Sequence, residues 1–135
     1  MTDTMTAAEF REQHKGYETE RDLQRAACQW MDAKGMAYFA VPNGQMRSGQ
    51  AMEPGLQSGV PDLCVPIPTG TYGSLYIELK QPGKYTRKEQ REWLSRLVDL
   101  GHACAVCRSL DDVIHLVSEY LGDTLDPTDL WPEQR

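Results

Sequence analysis

VPDLCVPIPTGTYGSLYIELK, residues 60–80, holds two runs of alternating apolar and polar character with turn residues between them. Leu63, Val65 and Ile67 share one side of the first run. In the second, Leu75, Ile77 and Leu79 lie on one face, and Tyr76, Glu78 and Lys80 on the other. Thr69 to Gly73 (TGTYG) is turn chemistry. Two such runs joined by a Gly-containing turn predict an antiparallel hairpin over Leu63–Pro68 and Ser74–Lys80. Pro61 suits a strand's first position, because it has no N–H to give the ladder. The hairpin brings Asp62, at the start of one strand, beside Glu78 and Lys80 at the end of the other.

Upstream, Met36–Val41 (MAYFAV) reads as a buried strand ended by Pro42. Before it, residues 17–34 form a helix with Leu23, Ala27, Trp30 and Met31 as an apolar stripe and Gly35 as the stop. Asn43–Gly59, rich in Gly, Gln and Ser, reads as a long loop, and loops of that length in a compact domain are usually functional or disordered. Downstream, Thr86-Arg87-Lys88-Glu89 fits a capping box that opens a helix with Trp93, Leu94, Leu97 and Val98 facing in. His102–Arg108 reads as a short buried strand. Ser109 opens a last helix with Leu110, Val113, Ile114, Val117 and Leu121 inward. The order helix, three strands, helix, strand, helix predicts a single α/β domain over residues 17–122. Residues 1–16 are expected to be a flexible N-terminus and 123–135 an acidic C-terminal tail.

The 135 residues are 40% hydrophobic and 25% charged, which fits a globular chain. No run approaches the length of a membrane span, and the first twenty residues lack the apolar centre of a signal peptide, so none is expected. Four cysteines without an export signal are expected to be reduced thiols of a cytoplasmic protein. The net charge of -6 argues against a nucleic-acid coat, but it is uneven. Residues 109–135 hold seven acids and one base, whereas Lys80–Arg96 holds six bases against Glu89 and Glu92. That basic segment is either a solvated helix face or a face for a phosphate backbone. Cys104 and Cys107 form a CxxC, but on a strand residues three apart point to opposite faces, so buried thiols are expected rather than a zinc site. No phosphate-loop or dinucleotide fingerprint appears, so no nucleotide cofactor is expected.

Three features could carry chemistry. Glu20 falls on the apolar stripe of the first helix, where a carboxylate either reaches solvent at a boundary or needs a partner. Its neighbour Glu18 falls on the polar face. Glu78 and Lys80 project from one face of one strand, and Asp62 comes alongside. Carboxylates are hard oxygen ligands suited to Mg²⁺, and clustered carboxylates repel unless a cation or proton is shared. A lysine beside them can orient water and balance developing charge. Carboxylates, a lysine and a basic face together suit phosphodiester cleavage.

Pro61-Asp62 followed by Glu78-Leu79-Lys80 resembles the PD-(D/E)XK nuclease superfamily, and the closer resemblance is to its VRR-NUC family. The likeness is carried by Glu20–Gln24, Pro42-Asn43-Gly44, Gly59–Leu63, Ile77–Lys80, Glu89–Leu94 and Gly101–Ser109. It departs at Met52–Gly55, where relatives look more helical. The resemblance implies a restriction-endonuclease-like core, with a mixed sheet flanked by helices. It implies that Asp62, Glu78 and the Leu79 carbonyl bind Mg²⁺ or Mn²⁺, with Glu20 joining directly or through water. Lys80 would orient the attacking water. Gln90 would hydrogen-bond Lys80 or the nucleophile, or else serve as a structural polar group at the core boundary.

The function implied is a metal-dependent DNA nuclease, on branched or structured DNA if it works as a homodimer. Lys84, Arg87, Lys88 and Arg91, with Asn43 and Arg47 opposite, would bind the nucleic acid. The alternatives are a catalytically inactive nucleic-acid-binding module on the same fold and an interaction protein acting through its acidic segment.

Overall fold

A computed structural model describes residue 6 and residues 19–42 and 53–134. The predicted residues Glu18, Asn43 and Arg47 lie outside them.

Helix α1 (Glu20–Ala33) is capped by the Thr19 hydroxyl, which accepts from the Asp22 amide at 3.0 Å. It is followed by β1 (Phe39–Ala40), β2 (Leu63–Val65) and β3 (Leu75–Leu79). Then come helix α2 (Lys88–Asp99), strand β4 (Ala103–Cys107) and helix α3 (Leu110–Leu121). The element order is the predicted one. The sheet runs β1-β2-β3-β4, antiparallel at the first two pairings and parallel at the last. The α2 crossover between β3 and β4 explains the change of direction, since parallel neighbours need a long connection.

Alternation sorts the side chains onto two faces. Leu63, Val65, Leu75, Ile77 and Leu79 join α1 and α3 in the main core. Cys104 and Val106 face the other way, where Leu94 and Leu97 of α2 cover them. Cys107 lies in the main core, so the CxxC residues point apart, and all four cysteines are free thiols.

Several local expectations are corrected. Met36–Val41 yields only a two-residue strand, and Phe39 is 49% exposed because β1 is the sheet edge with a single neighbour. The first hairpin strand stops at Val65, since Pro66 and Pro68 cannot donate to the ladder. Leu121 is exposed and Tyr120 takes the inward position, its hydroxyl donating to the Ile67 carbonyl at 2.6 Å.

The acidic C-terminal segment packs on the sheet instead of hanging from it. Leu130 is buried, and the Trp131 amide donates to the Cys104 carbonyl at 2.9 Å. The Gln134 side-chain amide both accepts from the Val106 N–H and donates to its C=O, at 2.6 and 3.0 Å. The free edge of β4 thereby acquires a substitute ladder partner, which blunts an otherwise open strand.

Gly59 fixes how the loop before β2 meets α2. Its φ is +91°, and a Cβ there would lie 2.6 Å from the Glu89 backbone carbon. Gly59→Ala is expected to destabilise the fold by roughly 1–3 kcal/mol, through backbone strain and forced displacement of the helix start. Urea unfolding measures this, and a change within error would mean that the loop moves freely aside.

Candidate active site

The site is built at the carboxyl end of β3. Running the β2–β3 register on from Leu63 opposite Ile77 sets Asp62 opposite Glu78 and Pro61 opposite Leu79. Pro61 has no N–H, so the sheet supplies Leu79's carbonyl with no donor from that position. The Leu79 amide donates to Asp62 Oδ2 at 2.7 Å, which holds that carboxylate at the gap in the ladder. The missing ladder bond thus places a carboxylate and a carbonyl oxygen side by side.

Glu78, Lys80 and Gln90 are 2%, 7% and 6% exposed, and with Ser74 they are the buried polar side chains among the described residues. Burial of that kind requires partners. Gln90 supplies two. Its Oε1 accepts from the Arg87 amide at 2.7 Å, and its Nε2 donates to Glu78 Oε2 at 3.3 Å. The predicted capping box is therefore displaced by one residue. Arg87 occupies the cap position, Gln90 is the residue reaching back, and Thr86 lies outside the helix. Gln90 bonds Glu78 rather than Lys80.

Burial raises the Glu78 pKa from 4.5 to about 10, reinforced by repulsion from and a hydrogen bond with Asp62 and by the charge of Glu20. The Lys80 ammonium opposes the shift without cancelling it. At neutral pH Glu78 therefore holds its proton. Two hard oxygen groups held together by a proton can exchange it for a divalent cation, and the Leu79 carbonyl adds a third oxygen. The donor set fits Mg²⁺ or Mn²⁺. Among the described residues no three His, Cys, Asp or Glu side chains converge as a ligand cluster, and Glu20 acts on Glu78 through its charge. It lines the adjoining cleft with Asp62 and Leu79.

Lys84, Arg87, Lys88 and Arg91 are exposed around the start of α2. The Arg108 guanidinium holds the Lys84 carbonyl at 2.9 Å, which ties their loop to the end of β4. Arg91 donates to the Thr86 carbonyl, and Lys88 lies 3.9 Å from Glu92 in an exposed pair of little strength. Reasoning from the sequence missed Arg21 and Arg25, which line the cleft beside Glu20. Their spacing of four on the face shared with Gln24 and Cys28 was the available signal.

A mixed sheet that carries paired carboxyls and a lysine at one strand end, beside a basic helix start, defines a nuclease-type α/β domain. The chain belongs to the VRR-NUC family of the PD-(D/E)XK superfamily: the VRR-NUC domain profile matches residues 12–111. A solved VRR-NUC domain protein is 26% identical, with a TM-score of 0.59, and the likeness covers 80% of this chain and 91% of that one. A second solved VRR-NUC domain, 24% identical with a TM-score of 0.52 over 75% of this chain and 96% of its own, shares the fold. No curated protein matches.

Proposed function

We propose that this chain is a Mg²⁺- or Mn²⁺-dependent deoxyribonuclease that hydrolyses phosphodiester bonds in branched or structured DNA. The observation that carries the proposal is the placing of buried Glu78 and Lys80 at the end of β3, with Asp62 opposite Glu78 and held by the Leu79 amide. A divalent cation, when bound, polarises a phosphoryl oxygen and makes water more acidic. Asp62, Glu78 and the Leu79 carbonyl hold it, with Glu20 acting through water.

Lys80 orients the attacking water and offsets the negative charge that builds on the phosphoryl oxygens. Gln90 is a positioning residue, since it fixes Glu78 against the start of α2. Lys84, Arg87, Lys88 and Arg91 meet the backbone phosphates, aided by the helix N-terminus. Asn43 and Arg47 belong to the same proposal. A two-fold homodimer would give two sites suited to a two-stranded or branched substrate. Four free thiols suit a cytoplasmic setting.

The test is a panel of linear, flap and four-way-junction DNAs, with and without Mn²⁺. Cleavage restricted to Mn²⁺ and strongest on the branched members is the expected result. Binding without cleavage at any metal concentration would leave an inactive binding module on this fold.

The basic face has its own expected outcome. Phosphate contacts position a substrate without reading its sequence. Arg87→Ala with Lys88→Ala should weaken binding equally across DNA sequences and reduce the log–log salt slope by about one for each phosphate no longer neutralised. Filter binding from low to moderate salt reads both, and an unchanged affinity and slope would mark the segment as merely solvated.

A further inference from the structure

The start of α1 forms one wall of a cleft of about 640 Å³ that opens beside Glu20 and Asp62 and is also lined by Val41 and Pro42. Arg21, Gln24, Arg25 and Cys28 line it, spaced three and four apart so that one helical face is presented. Arg21 and Arg25 are both exposed. Arg25 is held at 3.2 Å by Asp22 in a solvent-exposed pair, a bond weak enough to yield to a phosphate. The same cleft is lined by Glu20, Asp62 and Leu79, so a chain lying in it passes one edge of the proposed site of cleavage. The basic start of α2 is a separate feature, since none of Lys84, Arg87, Lys88 or Arg91 lines this cleft.

We infer that the DNA strand adjoining the scissile phosphate lies in this cleft, with Arg21 and Arg25 gripping its backbone. The inference rests on the nuclease reading and extends it: DNA is held on both sides of the carboxylates, by α2 on one and α1 on the other. Arginine suits the task, since its planar fork meets phosphate oxygens two at a time. The contacts set the strand's register and carry no sequence information.

Cys28 supplies a direct probe of occupancy. It is the half-buried thiol in the cleft, whereas Cys64, Cys104 and Cys107 are buried. The experiment uses the full chain with a labelled flap DNA in Ca²⁺. Maleimide alkylation of Cys28 is followed by mass spectrometry, and affinity is followed by filter binding. Saturating DNA should slow alkylation of Cys28. Arg21→Ala with Arg25→Ala should lower the log–log salt slope by about two, and paired lysine substitutions should restore most of it.

If DNA binds the double alanine variant with wild-type affinity and slope, or leaves Cys28 alkylating at its free rate, the cleft assignment is overturned and the nuclease reading stands. If wild-type protein binds no DNA of the panel, the nuclease reading falls and the cleft assignment with it.

Discussion

Lys80→Ala is expected to lower single-turnover cleavage of a labelled junction in Mn²⁺ by roughly 10²–10³, the usual consequence of removing one preorganised electrostatic group. Binding measured in Ca²⁺ should change far less, because Lys80 would be one cation among several near the phosphates. The geometry supports that separation. Lys80 is buried at the end of β3, and its amide donates to the Cys107 carbonyl at 3.0 Å, so its backbone is fixed by the parallel pairing. The substitution removes an ammonium and leaves the Asp62 and Glu78 side chains in place, although Glu78 then holds its proton more tightly. Glu20→Ala is expected to reduce activity less than Asp62→Ala, since in the proposed site Glu20 acts through water. Purified Lys80→Ala that cleaves at the wild-type rate would sink the assigned role.

The second large effect is on stability and follows from the proton that buried Glu78 keeps. In the folded chain Glu78 keeps its proton to about pH 10, whereas in the unfolded chain it ionises in the ordinary carboxylate range. Between those limits the folded state binds more protons than the unfolded state, so stability falls as pH rises through the window. Metal-free protein should thus melt lower at pH 8 than at pH 6 on account of this group, and Glu78→Gln should flatten the dependence. A divalent cation bound at the proposed site would take the proton's place and should stabilise the fold by RT ln(1+[L]/Kd), about 2.7 kcal/mol at a hundredfold excess over Kd.

The rise in Tm with Mn²⁺ should grow with pH, because the competing proton is easier to displace. Asp62→Asn should abolish it. Thermal melts across pH and Mn²⁺ concentration check both, and a wild-type curve that ignores the metal throughout would count against the site.

The candidate site was unusually legible because it is written in a hairpin. Side chains alternate with period two, so Glu78 and Lys80 had to share a face. A short turn between two alternating runs had to bring Asp62 back to them. The helical stripes were equally readable: Leu23, Ala27, Trp30 and Met31 are all buried. Family resemblance then added the metal and the substrate, which residue spacing alone does not specify.

Local chemistry was less decisive wherever two residues could serve one purpose. Thr86 and Glu89 offered a capping box, yet Gln90 does the reaching, because its other end is drawn to Glu78 across the sheet. The apolar run MAYFAV carried no sign that its strand would be an edge, since exposure depends on how many neighbours pair with it.

The sequence by itself determined the element order, the two faces of the central hairpin and the meeting of Asp62 with the Glu78 and Lys80 end of β3, because these depend on alternation, periodicity and turn chemistry within short segments. Tertiary structure alone decided that the acidic C-terminal segment seals β4 through Gln134, and that Gly59 admits the start of α2. It also decided that Arg21 and Arg25 line one cleft with Asp62. Each of these joins residues far apart in the chain, and their meeting is set by the packing of whole helices on the sheet, which no local pattern encodes.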